Sequence, residues 1–137
     1  MIVSTKGIYA LRIMLDLCQH TDEGYISLKK ISERQNMSMK YLESIVAMLN
    51  KTGMVESLRG KEGGYRLTRA PEQYTVGSIV KLTEGSLAPV ACLDCETNSC
   101  AQAYHCLTLP MWVKLDGIIT DYLESVTLKD LLDKKIK

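Results

Sequence analysis

The sequence predicts a mainly α fold with one small β-hairpin, and three stretches carry that prediction. Two short helical segments, Leu28 to Arg34 and Met39 to Lys51, are joined by a few residues. A basic, glycine-tipped hairpin follows over residues 54–69. A long amphipathic segment begins near Thr108. Together they read as a winged helix-turn-helix with a long C-terminal dimerisation helix. The expected division is residues 1–84 for the winged unit, 85–107 for a cysteine-rich loop, and 108–137 for the dimerisation and C-terminal helices.

The chain has 137 residues, 46% hydrophobic and 24% charged with three prolines, which fits a folded domain and excludes a disordered one. No apolar run reaches the roughly 18 residues that span a bilayer. No charged region followed by an apolar stretch opens the sequence, so a cytoplasmic location without membrane partners is expected. Residues 1–70 hold eleven Lys/Arg against seven Asp/Glu, whereas residues 71–137 hold six against nine. The net +4 half is the candidate phosphate-facing half.

Taken in order, Ser4 or Thr5 caps a first helix to about Gln19. Ile8, Leu11, Leu15 and Cys18, with Met14 and Leu17 beside them, form its apolar stripe, with Cys18 a small core residue. Thr21–Gly24 is a turn, and His20, at the helix end, is expected to have no role. Ser27 caps the next helix, and Asn36 takes a left-handed conformation in the break after it. Ser38 caps the third helix, whose buried face is expected to be Met39, Leu42, Ile45/Val46 and Leu49. Its polar first turn would enter the major groove of DNA. Ser38, Lys40, Tyr41 and Glu43 are the candidate contacts there.

Two β-capable runs, Met54–Leu58 and Tyr65–Arg69, flank the glycine-rich tip and form the wing. Arg59, Lys61, Arg66 and Arg69 face only Glu62 across the tip and second strand. Arg59, Gly60 and Lys61 are assigned to the minor groove or backbone, with glycine allowing close approach to phosphate. Thr75 caps a helix to about Thr83, ended by Gly85. Thr108 caps the last long helix, with Pro110 in its first turn. Its apolar face is Leu109, Trp112, Val113, Asp116, Ile119, Tyr122/Leu123 and Val126. That face is too apolar to stay bare, so a symmetric homodimer on a palindromic double-stranded operator is expected. Thr127-Leu-Lys-Asp130 is a capping-box variant that starts a short terminal helix.

Four of the five cysteines fall between Cys92 and Cys106, spaced C-x2-C-x4-C-x5-C. Residues 86–107 lack periodicity, and an irregular segment of that length needs a reason. Clustered cysteines in a reducing compartment are ligands or redox thiols. Cys92, Cys95, Cys100 and Cys106 are therefore candidate metal ligands, and the spacing leaves an iron–sulfur cluster, zinc and a redox thiol pair open. His105 is a spare nitrogen donor. No nucleophile–base pair, phosphate loop or paired carboxylates are visible, which argues against an enzyme; a cluster-bearing electron-transfer protein is the remaining version of that idea.

Ser4-Thr-Lys-Gly-x-Tyr9-Ala-Leu in the first helix, Tyr41-Leu-Glu43, Ser57-x-Arg59-Gly-x-x-Gly-Gly-Tyr65-x-Leu and Leu82-Thr-Glu-Gly85 resemble the IscR/NsrR-type (Rrf-two) bacterial transcription regulators over nearly the whole chain. The resemblance implies a homodimeric winged helix-turn-helix crossed by its C-terminal helices. It also implies a sensor, acting mostly as a repressor, that holds a 2Fe–2S or 4Fe–4S cluster on three cysteines. Carried over, these are Cys92, Cys100 and Cys106. The family's fourth ligand is absent here, because Leu109 and Ile8-Tyr9 stand at its usual places. Cys95 is the residue that could fill the vacancy. Glu43 and Arg59 match positions that read bases and the minor groove in relatives, and the arginine often found at position 8 is isoleucine.

Overall fold

The computed structural model describes residues 3–94 and 102–136. Six helices and one hairpin follow one another: α1 (Thr5–Gln19), α2 (Leu28–Gln35), α3 (Met39–Lys51), β1 (Val55–Leu58), β2 (Gly64–Leu67), α4 (Val76–Glu84), α5 (Leu109–Ser125) and α6 (Leu128–Leu132). Single 3-10 turns lie at Thr21–Glu23, Pro71–Gln73, Ala91–Leu93 and Ala103–His105.

Helix starts follow hydroxyl chemistry. Ser4, Ser27, Ser38, Thr75 and Thr127 each accept from the backbone N–H three residues on, satisfying a donor that the helix itself leaves open. Thr127 and Asp130 form the reciprocal capping box. Thr108 departs from expectation: it lies in a helical conformation with no capping bond. Its hydroxyl sits 3.3 Å from the Cys106 sulfur instead. Asn36 ends α2 in the left-handed region, at φ 53 and ψ 51.

The larger core joins α1, α2, α3, the hairpin, Tyr74, Ile79 and Leu128. Along α1 the buried apolar face is Ala10, Ile13, Met14, Leu17 and Cys18. Of the expected stripe Met14, Leu17 and Cys18 are buried, whereas Ile8 is 48% exposed and Leu11 and Leu15 are only half-buried. α1 touches α2, α3 and β2 as well as α4 and α6, so its burial follows several neighbours rather than one stripe. α3 buries Leu42, Ile45, Val46 and Leu49, but Met39 is 41% exposed because the first turn extends beyond the core. A smaller cluster joins Val76, Val80, Leu87 and Val126. α5 contributes no buried residue, and Met111, Val113, Ile118 and Tyr122 are exposed along it.

Two carboxylates tie helix to helix at glycines. Glu84 Oε1 accepts from the Ser4 amide at 3.0 Å and the Ser4 hydroxyl at 2.5 Å. A Cβ on Gly7 would lie 2.7 Å from that same oxygen, so glycine leaves room for the carboxylate where it bonds Ser4. Likewise Glu124 on α5 accepts from Thr75 Oγ1 at 2.9 Å, and lies where a Cβ on Gly77 of α4 would be.

The hairpin is antiparallel, pairing Val55 with Leu67 and Leu58 with Gly64. Ile26, just before α2, bridges the other edge of β2 by exchanging two 2.8 Å bonds with Tyr65. A Cβ on Gly64 would meet the Ile26 carbonyl oxygen at 2.2 Å. This glycine is therefore required by the protein's own backbone, and not by the approach of a phosphate. Tyr74 locks the hairpin's base. Its ring is fully buried, and its hydroxyl donates to the Met54 carbonyl at 2.7 Å. The same oxygen accepts from the Thr68 and Arg69 amides at 3.0 and 3.1 Å. Tyr74→Phe strands those three groups and should cost about 2 kcal/mol of stability, measured by urea unfolding at matched protein concentration. An unchanged midpoint would contradict this role.

Candidate nucleic-acid interface and cysteine site

The seating of α2 depends on Asp16, which is 1% exposed on α1. Arg34 donates Nη2 to Oδ1 at 2.6 Å and Nε to Oδ2 at 3.0 Å, and Gln35 adds a third donor at 3.0 Å. The bond to Asp16 holds the Arg34 pKa above its ordinary value. His20 Nδ1 lies 2.7 Å from the Asp16 carbonyl oxygen. From α1, Arg12 donates to the Gln35 carbonyl at 2.6 Å, at the last residue of α2. Two helices are thus locked at the point where the chain turns into α3.

The first turn of α3 carries the residues singled out from the sequence. Ser38, Lys40 and Glu43 are exposed. Tyr41 is not a free side chain: it is half-buried, edge-on to Tyr9 of α1 at 5.4 Å between ring centroids and 76° between planes. The Arg12 guanidinium lies 5.2 Å from the Tyr9 ring centroid. Ser38, Lys40, Tyr41 and Ser44 line one shallow hollow on this turn.

At the wing tip Arg59, Gly60 and Lys61 are exposed, and Gly60 turns the chain at φ 114. Neither Arg59 nor Lys61 makes an ion pair among the described residues. Arg66 and Arg69 are engaged elsewhere, which corrects the expected four-cation wing. Arg66 pairs with Glu56 and lies over the Tyr25 ring at 4.4 Å. Its pKa is raised by the Glu56 bond. Arg69 lies 5.2 Å from the Tyr74 ring centroid. Two cations at the tip remain free for a polyanion.

Of the four candidate thiols the described residues include two; Cys95 and Cys100 lie outside them. Cys92 sits in the 3-10 turn after α4, and Cys106 closes the turn before α5; both are half-buried. The Thr108 hydroxyl beside Cys106 lowers that thiol's pKa, favouring the thiolate. His105 is exposed. Among the described residues no three His, Cys, Asp or Glu side chains converge to hold a metal ion. Cys18 behaves as expected for a core residue: burial pushes its pKa up to about 12. No described helix is long and apolar enough to cross a membrane.

Sequence reasoning missed Tyr9, Arg12 and the Asp16–Arg34 pair. One signal was available: a carboxylate at position 16 on an otherwise apolar helix face. Its partner lies 18 residues away, beyond the reach of helical spacing.

The sequence pattern of the Rrf2 family, described as an iron-dependent transcriptional regulator, matches residues 3–134. The HTH-type transcriptional regulator IscR of Pectobacterium atrosepticum is 38% identical over 133 residues, 97% of this chain and 80% of its own length. The solved structure of T. potens IscR superposes with a TM-score of 0.78 at 40% identity, covering 99% of this chain and 89% of that one. That of CymR, the global cysteine regulator of B. subtilis, gives a TM-score of 0.79 at 34% identity and covers 99% of both chains. The protein is a winged helix-turn-helix transcriptional regulator, not an enzyme, and belongs to the Rrf2 family.

Proposed function

We propose that this regulator is a repressor that senses through an iron–sulfur cluster held in the loop between α4 and α5. Four thiols within fifteen residues are the observation that carries the reading. The donor chemistry fits: thiolates suit a soft iron–sulfur centre, and Thr108 predisposes Cys106 to that form. Cys92, Cys100 and Cys106 would hold the cluster, with Cys95 as the fourth ligand. Bound there, the group supplies a redox- and ligand-sensitive centre. The chain's own part is to carry one end of the loop on α4 and the other on α5. The description of the family as iron-dependent lends support, and zinc in the same thiolates is the alternative metal.

DNA would be engaged by Ser38, Lys40, Tyr41 and Glu43 in the major groove, and by Arg59, Gly60 and Lys61 at the minor groove or backbone. Residues 1–84 form the DNA-binding unit in this reading, 85–107 the sensing loop and 108–137 the dimerisation and terminal helices. The exposed apolar residues of α5 support a homodimer, whose two-fold symmetry matches a palindromic operator.

A thiol-redox regulator is the second reading. The lowered Cys106 pKa and the likeness to CymR favour it. Protein purified without oxygen should be coloured, with iron and sulfide in proportion, and Cys106→Ala should bleach it. Colourless wild-type protein carrying stoichiometric zinc would overturn the cluster. In metal-free protein at pH 7 to 8, iodoacetamide should modify Cys106 well before Cys18, whose thiol stays protonated in the core. Mass mapping that finds Cys18 alkylated first contradicts the placement of both. Arg59→Ala should weaken operator binding about ten-fold, the worth of one good arginine contact, as read by fluorescence anisotropy at fixed salt. Wild-type affinity in that variant would sink the wing assignment.

A further inference from the structure

The hollow on the first turn of α3 has a composition unlike its surroundings. Its four lining residues are Ser38, Lys40, Tyr41 and Ser44. Each serine hydroxyl makes one bond within the helix. Ser38 Oγ accepts from the Tyr41 amide at 3.3 Å, and Ser44 Oγ donates to the Tyr41 carbonyl at 2.7 Å. The lysine ammonium can extend into solvent while its stem lies along the wall. The surface that faces the hollow is mostly carbon, from the Tyr41 ring and side-chain methylenes.

The ring is also fixed in place. Tyr9 meets it edge-on, and Arg12 lies over the Tyr9 ring while donating to the end of α2. The hollow is therefore formed before any partner arrives. An apolar cup on a helix that enters the major groove has one complementary feature to find there. Thymine alone among the four bases projects a methyl group into that groove.

We infer that the Ser38–Lys40–Tyr41–Ser44 hollow seats a thymine methyl, so that Tyr41 determines specificity at a T·A pair in each half-site, with Tyr9 as its positioning residue. The inference rests on the proposed entry of α3 into the major groove. It assigns thymine recognition to a packed ring and not to a hydrogen bond, and thereby separates Tyr41 from Glu43, which would act by accepting from cytosine.

The test removes only the methyl. A duplex selected by the full-length, anaerobically purified protein from a random library is resynthesised with deoxyuridine replacing each thymine in turn. One position per half-site should lose about four-fold in affinity, the worth of one buried methyl group, while other thymines tolerate the exchange. Tyr41→Ala should bind the thymine and uracil duplexes equally. Ser44→Val, which fills the hollow from the surface, should do the same. Tyr9→Phe keeps the edge-on contact and should keep the preference, and Tyr9→Ala should reduce it. The wild-type scan needs no variant to fold. Specific binding in which every thymine can be exchanged without loss overturns the inference and leaves the regulator reading intact. So does a uracil effect that persists in Tyr41→Ala. Failure to select any duplex overturns the DNA-recognition reading itself, and this inference with it.

Discussion

One buried carboxylate sets the geometry on which the DNA-facing surface depends. Asp16 lies in the core, where an unpaired charge would be untenable. Two bonds from Arg34 and one from Gln35 compensate it. Replacing such a group by a well-packed apolar residue is often neutral, whereas removing one partner is costly, typically about 3–5 kcal/mol. The pair is thus better understood as a device for register than as a source of stability. Apolar packing between α1 and α2 would tolerate sliding or rotation; a bidentate guanidinium with fixed directions does not. Two residues after Arg34 the chain reverses through left-handed Asn36, and α3 begins at Met39. The orientation of the first turn of α3 is inherited from that lock.

Tyr9 and Arg12 extend the same logic across α1. Arg12 reaches the end of α2, and Tyr9 reaches the beginning of α3. Three residues of one helix, at positions 9, 12 and 16, therefore address both halves of the helix-turn-helix. α1 is the frame against which the recognition turn is held, although none of its residues was assigned to the DNA interface.

Features governed by neighbours in sequence were legible in advance. The caps at Ser4, Ser27, Ser38 and Thr75, left-handed Asn36, the glycine-tipped hairpin and the Thr127–Asp130 box all follow from chemistry within a few residues, and all are present. What escaped were contacts across distance. Arg34 was invisible as a partner for Asp16, and Tyr74 gave no sign that its hydroxyl closes the hairpin's base. Periodicity also placed Ile8 and Met39 inside, because it assumes one burying surface per helix. Ile8 lies near the start of a helix shared among several neighbours, and Met39 in a turn that overhangs the core. Thr108 was assigned a cap by residue type, yet its hydroxyl turned to Cys106. At the cysteine stretch the spacing named the thiols, and the described residues carry the placement of Cys92 and Cys106 alone.

Those two cysteines show how the loop joins the rest of the molecule. Cys92 follows α4 and Cys106 precedes α5, so the loop is suspended between two helices. Each helix is fastened by a carboxylate over a glycine. Glu124 holds α5 to the start of α4, and Glu84 holds the end of α4 to the start of α1. Gly7 and Gly77 leave room for these carboxylates to lie against the helix backbone. The end of α4 in turn reaches Ser4, at the start of α1. Tyr9 stands little more than one helical turn further along that helix, against Tyr41. From Cys92 the proposed sensing loop and the recognition turn are thus connected through α4 and α1, by the Ser4–Glu84 hydrogen bonds and the Tyr9–Tyr41 ring contact. Loosening the Ser4–Glu84 contact would be the mildest way to uncouple them without touching either end.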